Sequence, residues 1–174
     1  DYTKAEDMIA TVPSNGVGVM DRGFASKPFI KKILEVQGDN KKYFVIRLNA
    51  NYTLEALGNG EFRIGKRKDV VACRVINFCD LKNRAEYRLA TNLPKWGEGG
   101  VKDEEIMEIY RKRWQIELLW KFLKMPMKLD RFISKNMNEI EMQIYVTLTC
   151  YLMLHLLEIP KMWGVKLLDK IRYL

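Results

Sequence analysis

The stretch GVGVMDRGFASKPFIKKILEVQGDNKKYFVIR, residues 16–47, decides how this chain is read. Its first five residues are small, apolar and β-branched, and Asp21-Arg22-Gly23 comes at once after them. Such a run, bounded by glycine, suits a buried strand. Ser26 is a good helix N-cap, and Phe29, Ile30, Ile33 and Leu34 then recur at helical spacing. Gly38-Asp39-Asn40 closes that helix, and Tyr43–Arg47 reads as the next strand. Strand, helix, strand within 16–48 predicts an α/β unit.

On the N-terminal side, Asp1–Val12 reads as a short helix end, closed by Pro13-Ser14-Asn15-Gly16. On the other side the character changes from 49 to 94. Short alternating runs start at Tyr52, Glu61, Val70 and Glu86. Turn signals at Gly58-Asn59-Gly60, Lys66-Arg67-Lys68-Asp69 and Lys82-Asn83 separate them. This predicts an antiparallel β insertion. It carries many cations: Arg63, Lys66, Arg67, Lys68, Arg74, Arg84 and Arg88. A glycine-rich loop, Trp96–Val101, leads to one long helix from Asp103 to about Lys124. Asp103, Glu104 and Glu105 favour its positive N-terminus, and Pro126 ends or kinks it. A second helix runs from about Asn138 to Glu158, and a short amphipathic piece closes the chain.

The composition bounds the function. A chain of 174 residues with 48% apolar residues and a mean hydropathy of −0.24 can bury a core. That excludes a disordered tail or a fibrous repeat. Thirty Lys and Arg against 22 Asp and Glu give a net charge of +8, with a pI near 9.3. Such a basic domain usually meets a polyanion, nucleic acid first. The single histidine, His155, nearly excludes His-paired nucleophiles and His-rich metal sites. Cys73, Cys79 and Cys150 form no CxxC and read as thiols in a reducing cytosol. The apolar run 142–157 has sixteen residues and includes Gln143 and His155. It is too short for a bilayer, which needs about 20, so a buried helix is expected. The first residues lack the order of a signal peptide. They begin with Asp rather than Met, so an upstream segment is expected.

The chemistry is carried by IYRKRWQIELLWKFLK, residues 109–124. Tyr110, Arg113, Glu117 and Lys124 fall within an arc of about 60° at about 100° per residue, and Lys121 joins the stripe. One carboxylate thus sits among cations, with an aromatic hydroxyl at the head. The same spacing also serves a solvated face of ordinary ion pairs, since Arg113 and Lys121 each lie four residues from Glu117. Asp21 stands at the carboxyl end of a predicted strand, a common place for a site in an α/β sheet. It also suits a turn or a cap.

The pattern at Tyr110, Arg113, Glu117 and Lys124 resembles the signature of bacterial insertion-sequence DDE transposases, and Asp21-Arg22-Gly23-Phe24 looks like their second-aspartate motif. The segment from Met127 to Asn136, and the apolar helix after it carrying Gln143-Ile144-Tyr145, is similar to the segment C-terminal to that signature in the family. The resemblance covers 10–158. It implies an α/β fold: a partial ribonuclease H-like core in 1–48, the β insertion in 49–94, and C-terminal helices completing the core in 95–174. It implies phosphoryl transfer at transposon ends. Water and then a 3′-hydroxyl attack a phosphodiester, assisted by Mg²⁺ or Mn²⁺ on Asp21 and Glu117. Arg113 and Lys124 would contact phosphates, with Tyr110 beside the same backbone, and Lys121 is added from the helix arc. Tyr87 is the candidate for stacking a flipped base, with Trp96 as runner-up. DNA and a homodimer on paired ends are the implied partners, in the bacterial cytoplasm at the nucleoid and away from any membrane.

The family uses a third carboxylate on an earlier strand. Only Asp1, Glu6 and Asp7 precede Asp21, and they fall in a predicted helix end. The expectation is therefore an N-terminally truncated transposase, inactive as this chain. The alternatives are a non-enzymatic DNA-binding or dimerisation remnant, or a generic basic α/β domain.

Overall fold

The computed structural model describes residues 5–36, 38–58, 60–66, 69–80, 85–95, 97 and 99–174. The chain divides into two compact units, 1–113 and 114–174. In the first unit, β1 (Val17–Met20), β2 (Tyr43–Arg47), β3 (Leu54–Gly58), β4 (Glu61–Lys66), β5 (Asp69–Asp80) and β6 (Ala85–Thr91) form one mixed sheet. Its order among the described residues is β1-β2-β6-β5-β4-β3. β1 and β2 are parallel, with Met20 opposite Ile46. Every later pair is antiparallel. The alternating runs of 49–94 are thus strands, and they extend the same sheet because β6 pairs directly with β2.

Both faces of the sheet are covered, which is why β2 reads as a continuous apolar run rather than an alternating one. On one face Phe44, Ile46, Val75 and Ala90 pack with Phe29, Ile30 and Ile33 of α2 (Lys27–Glu35) and with Ile9 of α1 (Ala5–Thr11). On the other, Val45, Ile76 and Leu89 pack with Ile106 and Tyr110 of α3 (Asp103–Lys112). Ser26 caps α2 as its sequence suggests, accepting from the Phe29 N–H at 3.4 Å. At the end of β6, the Thr91 hydroxyl donates to the Phe44 carbonyl at 2.6 Å. The Asn92 amide accepts from the Phe44 N–H at 2.9 Å and donates to the Lys42 carbonyl at 2.8 Å. These bonds fix the exit of β6 against β2.

The expected single helix 103–124 is two helices. α3 stops at Lys112, and α4 runs Trp114–Lys124. At Arg113 the N–H bonds to the Tyr110 carbonyl, three residues back rather than four. That tighter closure interrupts the ladder while φ and ψ stay helical at −53° and −35°.

In the second unit α4 ends near Pro126, and the Leu129 N–H closes on the Leu123 carbonyl at 3.0 Å with both side chains buried. α5 (Met137–Leu156) comes next, then α6 (Leu167–Tyr173). Gln143 of α5 holds the intervening loop. Its amide accepts from the Ile133 N–H at 3.1 Å and donates to the Arg131 carbonyl at 2.9 Å. The expectation that this helix is buried is not met within the chain. Only Thr147 and Leu154 are buried, while Leu152 is 62% exposed and Leu156 83%. A helix apolar all round needs neighbours on every side. Contacts such as Phe122–Tyr151 from α4 and Lys170–Leu154 from α6 cover only a stripe. Among the described residues no helix is long and apolar enough to cross a membrane.

Candidate functional site

Asp21 stands just after β1, at the carboxyl end of the parallel pair. Its backbone carbonyl closes the short 3-10 turn Arg22–Phe24 by accepting from the Phe24 N–H at 3.0 Å. Its side chain makes no capping hydrogen bond, so the capping alternative does not use the carboxylate. The side chain is exposed and, among the described residues, forms no ion pair.

α3 brings Tyr110 to this carboxylate. Ile106 and Tyr110 lie one turn apart on the buried face of α3, and the Tyr110 hydroxyl reaches Asp21 Oδ1 at 3.4 Å. Two residues 89 positions apart in sequence thus meet in a long hydrogen bond. Burial, and then the charge of Asp21, push the Tyr110 hydroxyl above its ordinary range, while Arg113 and Arg47 pull it down. The hydroxyl therefore stays protonated at neutral pH and donates. The Arg113 guanidinium lies 5.8 Å from the centre of the Tyr110 ring.

Arg47, at the end of β2, is not among the candidates that the sequence offers. Its guanidinium lies 4.2 Å from the centre of the Tyr87 ring. Tyr87 in turn stacks on Phe78, with ring centres 5.0 Å apart and planes 11° from parallel. The signal is present in Tyr43–Arg47: an apolar run that ends on a cation at the carboxyl end of a strand, as the 16–20 run ends on Asp21. The first unit therefore gathers Asp21, Tyr110, Arg113 and Arg47. Glu117, Lys121 and Lys124 lie on α4 of the second unit. Their i, i+4, i+7 spacing puts them on one helix face, with both lysines exposed and Glu117 partly buried. Trp96 lies outside the described residues.

A family model described as the transposase DDE domain matches residues 1–153. The chain belongs to that family. A protein of Synechocystis sp. named as a candidate transposase for insertion sequence element IS4SA is 48% identical over the whole of this chain. A candidate transposase of Sinorhizobium fredii, y4zB, is 33% identical over 51 residues, 29% of this chain and 14% of its own. This chain spans 51% of the length of the Synechocystis relative. No solved structure matches.

The family's hard divalent ion asks for carboxylate oxygens. Asp21 fits on that count, being accessible and neither capping nor ion-paired among the described residues. Not every cation of this DDE domain is open to a polyanion. Arg74 on β5 is buried. It donates to the Pro94 and Val101 carbonyls at 3.2 and 3.0 Å and pairs with Asp103. Its charge ties Pro94 and Val101 to Asp103 at the start of α3, the helix that carries Tyr110. Gly100 is needed in that loop: a Cβ there would stand 2.2 Å from the Pro94 carbonyl oxygen.

Proposed function

We propose that this chain carries the carboxylate and phosphate-binding residues of an insertion-sequence transposase, acting in phosphoryl transfer at the ends of the mobile DNA. The observation that carries the reading is the meeting of Tyr110 with Asp21. It joins the head of the Tyr-Arg-Glu-Lys signature to the aspartate at the carboxyl end of β1. Bound to Asp21 and Glu117, Mg²⁺ or Mn²⁺ would supply an activated water and neutralise charge on the transferring phosphate. Tyr110 holds the Asp21 carboxylate through its O–H and keeps one of its oxygens in place. Arg113 and Lys124 take DNA phosphates, and Lys121 extends that basic face along α4. The resulting partners are DNA and, for two ends to be joined, a second copy of the protein. In this reading the enzyme works in the bacterial cytoplasm, where the DNA is.

The test is cleavage at insertion-sequence ends by a full-length transposase carrying this sequence. Asp21→Asn and Glu117→Gln should each take cleavage below detection and leave DNA binding in place. Cleavage by either variant would overturn the assignment. The 174-residue chain alone should bind duplex DNA with a strong salt dependence.

A further inference from the structure

Arg47 is a cation of this sheet whose charge the fold holds in place without a carboxylate partner among the described residues. It comes directly after Ile46, and Ile46 pairs with Met20 in the parallel ladder. Arg47 therefore leaves β2 next to the point where Asp21 leaves β1. Its side chain is partly buried, and its planar group rests on Tyr87. Tyr87 rests on Phe78 directly across the β5–β6 ladder. Since the strand order is β2-β6-β5, cation, ring and ring run in a row across three neighbouring strands. Among the described residues no carboxylate pairs with Arg47. By contrast Arg74, on the same sheet, is fully engaged by two carbonyls and Asp103.

A guanidinium stacked on an aromatic ring loses little freedom, and its edge N–H groups remain available for a planar, bidentate anion. Beside a carboxylate suited to a divalent ion, the matching anion is a phosphodiester oxygen pair, not a free carboxylate. We propose that Arg47 binds the DNA phosphate adjoining the Asp21 site and that Tyr87, backed by Phe78, is its positioning residue. The proposal rests on the transposase reading above and assigns to it a residue outside the signature. It also redefines Tyr87. A base stacking on that ring would have to displace Arg47, so the tyrosine acts through the arginine.

The experiment uses the 174-residue chain and a short fluorescent duplex, with binding monitored by anisotropy between about 50 and 200 mM salt. Thermal melts confirm that each variant is folded. Arg47→Gln should weaken binding several-fold and lower the salt slope by about one, the loss of one phosphate contact. Arg47→Lys should recover the slope only in part, because an ammonium cannot keep the stacked, bidentate geometry. Tyr87→Leu should weaken binding, and Tyr87→Phe, which keeps the ring, should restore it. In the Arg47→Gln background, Tyr87→Leu should add nothing. If Arg47→Gln leaves the slope unchanged while Arg113→Gln or Lys124→Gln lowers it, Arg47 is not a phosphate ligand and the transposase reading stands. If none of the three lowers it, the phosphate-binding reading falls as well. If Tyr87→Leu weakens binding equally with and without Arg47, the ring contacts DNA itself and its positioning role is overturned.

Discussion

Two helices of this molecule invert the usual link between apolar composition and burial. α2 has nine residues, three of them lysines, yet it buries Phe29, Ile30 and Ile33. α5 has twenty, almost all uncharged, yet it buries only Thr147 and Leu154. The difference is the partner. α2 lays one narrow apolar stripe on a sheet whose face is already apolar, so a short helix is completely used. α5 is apolar around its circumference, and within its unit it meets α4, α6 and the loop at 131–133 rather than a sheet face. Hydrophobicity supplies the tendency to be buried, while the neighbouring surface decides how much of it is realised.

Core truncations give that contrast its largest expected signal. Ile30, fully buried, should cost about 2–5 kcal/mol as Ile30→Ala. Leu156→Ala, on the far more apolar helix, should stay within about 0.5 kcal/mol. Urea midpoints read both, and equal losses would erase the distinction drawn between the helices. Arg74→Ala comes next, at about 3 kcal/mol, the low end for breaking a buried charge pair, because Asp103 is itself 56% exposed. It should also raise hydrogen exchange at the start of α3, which Arg74 anchors. Retained protection there would separate the arginine from the placement of Tyr110.

The cysteines sharpen the same contrast by chemistry. Burial pushes the Cys73 thiol, on the sheet, up to about 12. Cys150 on α5 and Cys79 are exposed. An alkylating reagent at about pH 8 should therefore label Cys79 and Cys150 and leave Cys73 untouched until the protein unfolds. Labelling of native Cys73 at a comparable rate would show that the sheet face is open. The folded thiol holds its proton more tightly than an unfolded one. Its contribution to stability is thus complete below about pH 9 and declines as pH rises toward 12. The smallest effect belongs to the exposed apolar side of α5. Leu152→Lys should leave the melting temperature nearly unchanged and reduce binding of an apolar dye. A clear fall in melting temperature would mean that Leu152 is packed.

Local signals are legible in the sequence. The apolar run 17–20, Ser26 ahead of the α2 stripe, and the alternation of 54–91 each reflect a neighbourhood of a few residues. The resemblance singles out Tyr110 and Asp21 by their motifs, and the structure brings the two side chains to 3.4 Å. Features set by strand register are not legible. Arg47 meets Tyr87 only because β6 returns to pair with β2. Arg74 reads as one more cation of the insertion, but the fold brings it to the Pro94 and Val101 carbonyls and to Asp103. The interruption at Arg113 is a single altered hydrogen bond inside a helical pattern, below what periodicity resolves. The exposure of α5 depends on what its neighbours supply, and a hydropathy pattern does not state that.

Manganese tests the proposed metal ligands most directly, because its unpaired electrons broaden nearby amide resonances. Titrating Mn²⁺ into the 174-residue chain should bleach the amides around Asp21 and those around Glu117 together. Asp21→Asn should abolish both effects. Bleaching of one segment without the other, or of neither, would contradict the proposed assignment of Asp21 and Glu117 as metal ligands.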